Sequence, residues 1–289
     1  AFAFHRGLPG YRPGPLRRLR KAEGPLGARR VWVKDESDRF GLPAFKVLGA
    51  SWAVYRRLRA ELGIGTEPPT PLHDLKRLAR EIGPVELVTA TDGNHGRGVA
   101  RVAAWFGFGA AVFMPSGSSV SRVEAIRSEG ARVTIVDGDY DDAVRAAAAR
   151  EGPRAWLIQD TAWAGYEEIP RWIVEGYSTI GRETDAALAA LGEPQPDLVA
   201  IQIGVGSLAA AMVKHYRAGG RGTGPRMLGV EPAGAACALE SIRAGEPRAL
   251  PGPHRSAMAG LNCGTLSSIA WPLVREGIDA FVSIGDGAA

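Results

Sequence analysis

The sequence predicts an α/β protein built on open, mainly parallel sheets flanked by helices. Two observations carry this. Between residues 86 and 158, short β-branched or apolar runs alternate with helical periods, the pattern of consecutive strand–helix units. Further on, the strongly apolar Leu198–Ile203 run is followed at once by Gly204-Val205-Gly206 and a second helical period, the signature of a parallel strand turning into a crossover helix.

The elements follow in order. Arg30–Lys34 alternates Val31 and Val33 as a short strand, and Phe45–Leu62 has helical spacing through Leu48, Trp52, Tyr55 and Leu58. Gly65–Pro71 is a proline-rich loop. Strands are predicted at Glu86–Ala90, Ala110–Met114, Val133–Val136 and Ala155–Ile158. Helices are predicted between them at His95–Phe106, Ser119–Glu129 and Asp139–Arg150, with Asp139 as N-cap. A long helix over Glu168–Leu191 precedes strand Leu198–Ile203, helix Leu208–Arg217, strand Arg226–Glu231 and a last strand at Ala280–Ile284. No internal repeat or sharp linker divides the chain.

Composition narrows the function classes. The 289 residues are 45% hydrophobic and 23% charged, ordinary for a soluble globular protein. No apolar run reaches the ~18 residues of a membrane span, and the first residues lack a signal-peptide pattern. The net charge of +4 is spread along the chain, and the basic run Arg56-Arg57-Leu58-Arg59 reads as a solvated helix face, not a nucleic-acid patch. Cys237 and Cys263 form no metal or redox motif, which favours a reducing cytosol. No pair of the five histidines has zinc-site spacing. The chain starts without Met, and Asp286-Gly287-Ala288-Ala289 reads as the opening of a helix, so both ends are expected to continue.

Lysine usage is informative. Only five of the 35 basic residues are lysine: Lys21, Lys34, Lys46, Lys76 and Lys214. Lysine can form an imine with a carbonyl and arginine cannot. Lys46, in Ala44-Phe45-Lys46-Val47-Leu48, is the one flanked by apolar residues on both sides. Burial there would lower its pKa toward the nucleophilic range, while the plainer reading is a lysine snorkelling from a helix start.

Three polar turns stand at strand ends, where open α/β sheets bind ligands. Gly204-Val205-Gly206-Ser207-Leu208 joins a strand to a helix, offering backbone N–H groups, the helix dipole and the Ser207 hydroxyl to a phosphate. Read through Ala209 it also fits the loose pattern G-x-G-x-x-A, with Glu231 as a possible ribose acid for a nicotinamide dinucleotide. Thr91-Asp92-Gly93-Asn94-His95-Gly96-Arg97-Gly98 has more glycine than a helix cap needs; Asp92 is a candidate acid–base group and Asn94 a fixed donor and acceptor. Asp160 closes the strand Ala155–Ile158, as a binding carboxylate or an N-cap.

Together these segments resemble one family. Lys34-Asp35-Glu36-Ser37-Asp38-Arg39-Phe40-Gly41-Leu42-Pro43-Ala44-Phe45-Lys46 is similar to the cofactor-lysine segment of fold-type-II, tryptophan-synthase-β-like pyridoxal-phosphate enzymes, most of all the 2,3-diaminopropionate ammonia-lyases. The Asp92 turn resembles their ring-binding loop, where serine and threonine dehydratases usually carry serine in place of Asp92. Gln159–Trp163, Gly165–Pro170 and Met258–Gly264 are similar as well. Near the start, Pro13-Gly14-Pro15-Leu16 departs from the Pro-Thr-Pro-Leu that relatives often carry.

The resemblance implies pyridoxal 5'-phosphate as cofactor, joined to Lys46, with Asn94 at the ring hydroxyl and Gly204, Val205, Gly206, Ser207 and Leu208 around the phosphate. It implies catalytic roles for Lys46, Asp92 and Asp160 in a carbon–nitrogen lyase that eliminates ammonia from diaminopropionate. It further implies a large domain of residues 1–50 and 166–289, a small domain of 51–165, and a cytoplasmic homodimer acting on a free amino acid. In the family, chain beyond Asp286 supplies the partner of the pyridine nitrogen. The alternatives are a serine/threonine dehydratase-like β-eliminating lyase and, from another class, a nicotinamide-binding oxidoreductase.

Overall fold

The computed structural model describes residues 1–65, 69–91, 93–220, 222 and 224–289. The elements in chain order are α1 (Phe2–Arg6), β1 (Leu16–Arg18), α2 (Arg20–Glu23), β2 (Trp32–Lys34), α3 (Lys46–Glu61), α4 (Leu72–Ile82), β3 (Glu86–Ala90), α5 (Asn94–Phe106), β4 (Gly109–Pro115), α6 (Val120–Arg127) and β5 (Arg132–Val136). They continue with α7 (Tyr140–Ala149), β6 (Ala155–Leu157), α8 (Glu168–Ala190), β7 (Leu198–Gln202), α9 (Ser207–Tyr216), β8 (Arg226–Pro232), α10 (Cys237–Ala244), α11 (Trp271–Gly277) and β9 (Ala280–Ile284).

Both larger sheets are parallel. One has the order β5-β4-β3-β6 and the other β7-β8-β9, while β1 and β2 form a small antiparallel pair. The central strand β3 buries Leu87, Val88, Thr89 and Ala90, the continuous burial expected of a parallel strand covered on both faces. Most boundaries agree with the sequence reading to within one or two residues. Asp139 caps α7 in a reciprocal capping box with Asp142. Strand β1 and the helices α1, α2, α4, α10 and α11 are additions to that reading. Part of the Gly65–Pro71 loop, residues 66–68, lies outside the described residues.

The 23-residue α8 is the spine: α3, α1 and α9 pack on it. Its crossing with α3 is close because both helices offer glycine there. A Cβ at Gly176 would stand 2.5 Å from the Leu48 carbonyl, and one at Gly49 2.6 Å from the Tyr177 ring. The opposite flank of α3 meets α5, where a Cβ at Gly98 would lie 3.0 Å from Val47 N. Glycine in the turn sequence therefore serves helix packing as well as the turn, and it brings α5 against the backbone of Lys46.

Candidate active site

Lys46 is the first residue of α3. It is held at the floor of a cleft of about 560 Å³, lined also by Thr91, Asn94, His95, Asp160, residues 204–208 and the 260–265 loop. The loop before it is fixed by the Arg39–Leu42 bridge and leads the chain into α3 with Lys46 facing inward. The lysine does not snorkel to bulk water. Its Nζ donates to Asp160 Oδ2 at 2.6 Å, with the lysine side chain 21% exposed and the carboxylate 6%.

That pairing reverses the expected direction of the Lys46 pKa. Burial alone pushes it down, but the charge of Asp160, with Tyr177 and Cys263 nearby, outweighs burial and raises it above the ordinary lysine value. The reason is Coulombic: an ammonium with a carboxylate in hydrogen-bond contact keeps its proton. Asp160 answers in kind. Burial pushes its carboxyl up, and Lys46 and then His95 pull it down to about 2.

Around this pair the polar turns converge. Asp160 follows β6, and its carbonyl accepts from Ser207 Oγ at 2.8 Å. The Ser207 hydroxyl is thus occupied, and what Ser207 offers the cleft is its backbone N–H. Gly206, at φ +89°, takes the left-handed conformation that starts α9. Gly204 is backed by Cys263 Sγ, 3.2 Å from where a Cβ would sit, and by the Gly260 carbonyl. Asn94, the first residue of α5, opens onto the same cleft. Asp92 lies outside the described residues.

Two further side chains meet the pair, and sequence reasoning passes over both. His95 is buried with Nε2 2.7 Å from the Ile158 carbonyl and Nδ1 3.8 Å from Asp160 Oδ2. Tyr177, from α8, is fully buried, and its phenol lies near enough to Lys46 and Asp160 to interact with both. Tyr177 reads in sequence as one more residue of an apolar helix face. His95 sits inside a quoted motif but shows no spacing that sets it apart.

Glu231 is not a ribose ligand. It is buried, and its two carboxylate oxygens accept from Ala238 N and Leu239 N, each at 2.8 Å. It caps α10, and the dinucleotide reading loses its acid. Among the described residues no group of His, Cys, Asp and Glu could hold a metal ion, and no helix is long and apolar enough to cross a membrane.

The profile of the family described as "Pyridoxal-phosphate dependent enzyme" matches residues 8–289. The chain belongs to this family. Its cofactor is pyridoxal 5'-phosphate, and its fold is the two-sheet, fold-type-II architecture. The chain is similar to the diaminopropionate ammonia-lyase of Salmonella typhimurium, 42% identical over 288 residues that cover 98% of this chain and 71% of that protein. It is similar in structure to the diaminopropionate ammonia-lyase of Escherichia coli solved in complex with D-serine, with TM-score 0.88, 35% identity, and 98% and 70% of the two chains covered. The structure of the T.th. threonine deaminase matches with TM-score 0.76 and 27% identity over 99% of this chain and 81% of that one.

The residues present fit the cofactor of a pyridoxal-phosphate-dependent enzyme. Lys46 lines the cleft and, once it has lost its proton, is the amine that would meet the aldehyde. Residues 204–208 line the cleft at the start of α9, whose first N–H groups lack intrahelical partners and suit a phosphate; glycine at 204 and 206 lets this turn pack against Cys263, Leu266 and Ala270.

Proposed function

We propose that this enzyme removes ammonia from 2,3-diaminopropionate by α,β-elimination, giving pyruvate and ammonia. The observation that carries the reading is the buried Lys46–Asp160 contact of 2.6 Å at the floor of a cleft that also holds the phosphate-type turn. The cofactor, once joined to Lys46, supplies an electron-poor ring that delocalises the charge left at Cα.

The protein's own residues do the rest. Residues 204–208 would hold the phosphate through their N–H groups, and Asn94 would meet the ring hydroxyl. Lys46, released when the substrate amine takes its place, removes the Cα proton. Asp160 binds the cationic amine of the substrate, a dication-capable molecule that a buried carboxylate suits. Asp92, where dehydratases usually carry serine, is assigned as the base for the D-isomer or the group that protonates the departing β-amine. Loss of the β-ammonia leaves an enamine, which water converts to pyruvate and the second ammonia.

The rival serine/threonine dehydratase reading has less support. The match to the biosynthetic L-threonine dehydratase of Mycobacterium tuberculosis is 28% identical over 163 residues and covers 56% of this chain. The deciding experiment is pyruvate release from D- and L-diaminopropionate beside serine and threonine. Faster release from serine or threonine than from either diaminopropionate isomer would defeat the proposal.

We also infer a large unit of residues 1–50 and 166–289 and a small unit of 51–165. Supporting this, the sheet β5-β4-β3-β6 falls wholly in the second range and β7-β8-β9 in the first. A cytoplasmic homodimer completes the reading.

A further inference from the structure

His95 is the second residue of α5 and is 4% exposed. Its Nε2 stands 2.7 Å from the Ile158 carbonyl. A carbonyl only accepts, so Nε2 carries a proton, and the neutral ring then has a bare lone pair at Nδ1. That nitrogen is buried and has no hydrogen-bond partner among the described residues. It lies 3.8 Å from Asp160 Oδ2, and the same oxygen is 2.6 Å from Lys46 Nζ. Burial lowers the His95 pKa, and the Lys46 cation lowers it again against the opposing pull of Asp160. The ring is therefore neutral while Lys46 is an ammonium. A lone pair this near a carboxylate oxygen gains nothing unless a proton comes to lie between them.

We propose that Lys46, Asp160 and His95 form a proton path, in which His95 Nδ1 receives the proton that Lys46 must lose before it can act as an amine. The inference rests on the reading of Lys46 as the cofactor lysine. The Nζ–H bond breaks and its electron pair stays on nitrogen. Asp160 Oδ2 takes the proton and passes it to Nδ1. Lys46 ends neutral, Asp160 ends as a carboxylate, and His95 ends as an imidazolium that faces the Asp160 charge at 3.8 Å and donates to the Ile158 carbonyl. The trio begins with one cation, one anion and one neutral group and ends the same way. The net charge of the buried site is unchanged, while the raised Lys46 pKa and the lowered His95 pKa make the transferred state a minor, transient one.

Among the described residues the other titratable groups facing the trio are Tyr177 from α8, Cys263 from the loop after Leu261, and Tyr166, which lies near Asp160 and whose phenol burial also keeps neutral. Burial holds the Tyr177 phenol above its usual range, so it stays neutral and does not compete for the proton. His95 touches neither substrate nor cofactor in this scheme. It is a positioning residue for Asp160 that also stores the proton.

The test is nitrogen-15 NMR of the full chain labelled at histidine. At neutral pH the wild type is expected to show His95 protonated at Nε2 and bare at Nδ1. Lys46→Met leaves Asp160 without its cation, and Nδ1 is expected to gain a proton. Lys46→Met with Asp160→Asn should return it to the bare form. A protonated Nδ1 in the wild type, or a bare one in Lys46→Met, overturns the path.

A second measurement guards against variants that fail to fold. The rate at which added pyridoxal phosphate gives a visible band fixed by borohydride reports deprotonation of Lys46 directly. In His95→Asn this rate should fall by roughly 10²-fold at neutral pH, the low end of general acid–base effects, and recover as hydroxide takes over at higher pH. A rate equal to wild type, or a deficit that does not change with pH, also overturns the path. If the wild type forms no band, the proposed function fails, and the imidazole signals alone decide whether the path exists.

Discussion

Arg39 and Glu183 form a buried two-point ion pair across 144 residues, with Nη1–Oε1 at 2.8 Å and Nη2–Oε2 at 2.7 Å. Glu183 lies on α8 and Arg39 in the loop that leads to Lys46, so the helical spine anchors the segment from which the lysine emerges. Lys34 Nζ, the Tyr11 hydroxyl and Gly14 N also donate to Glu183. This crowding accounts for glycine at position 14: a Cβ there would collide with Lys34 Nζ and stand 2.6 Å from Glu36 Oε1. The threonine that relatives often carry has no room in this packing.

Removing one charge of this cluster should be costly. Glu183→Gln leaves buried Arg39 with Glu36 as its remaining carboxylate and takes the charge away from Lys34 as well; it is expected to lose about 3 kcal/mol, read from urea unfolding. Replacing both, Arg39→Met with Glu183→Leu, should recover most of the loss. Burial pushes the Glu183 carboxyl up, and Arg39, Lys34 and Tyr11 pull it down to about 2. Its folded pKa is depressed, so its stabilisation is present above the unfolded value and is lost as pH falls from there toward about 2.

A second pH dependence comes from histidine. His5 is fully buried, with Nδ1 2.7 Å from Thr179 Oγ1 and Nε2 3.0 Å from the Leu48 carbonyl. Burial above all lowers its pKa from 6.5 to about 3. His95 is lowered as well. The unfolded chain takes up these protons and the folded one does not, so stability should fall as pH drops below about 6.5. In His5→Phe the slope of unfolding free energy against pH just below that value should shrink by about one proton. An unchanged slope would show that His5 titrates normally in the fold.

The α3–α8 crossing should not tolerate a methyl group. Gly176→Ala places Cβ against the Leu48 carbonyl, a backbone atom that cannot swing aside. A loss of roughly 1–3 kcal/mol is expected, as for other overpacked contacts. Because α3 carries Lys46 at its first residue, cofactor affinity should weaken in parallel, which equilibrium titration with pyridoxal phosphate would measure.

At the site, Lys46→Arg keeps a cation beside Asp160 and should fold, yet it cannot make the covalent link. Borohydride should then fix no cofactor, and pyruvate release should fall to background. Asp160→Asn removes a binding carboxylate and is expected to lower turnover of diaminopropionate by about 10²–10⁴-fold. The same change in a merely structural aspartate would reduce stability and leave turnover of the folded fraction intact.

By itself the sequence determined the alternation of strands and helices, because apolar periodicity and glycine turns are local properties. Leu198–Ile203, Gly204–Leu208 and the Asp139 cap were legible for that reason, and resemblance in the Lys34–Lys46 segment marked the lysine. The short strand β1 and helix α10 were not legible, since neither has a long enough apolar period and each depends on distant partners: β2 for the first, the Glu231 carboxylate for the second. Only the tertiary structure decided the chemistry of Lys46. Its neighbours in the chain are apolar and argued for a lowered pKa. Asp160, 114 residues away, reverses that by Coulomb attraction at 2.6 Å. His95, placed behind Asp160 by α5 packing against the start of α3, gives the displaced proton a place to go. Charge interactions act through space, and no local pattern records which carboxylate or imidazole the fold will bring to a lysine.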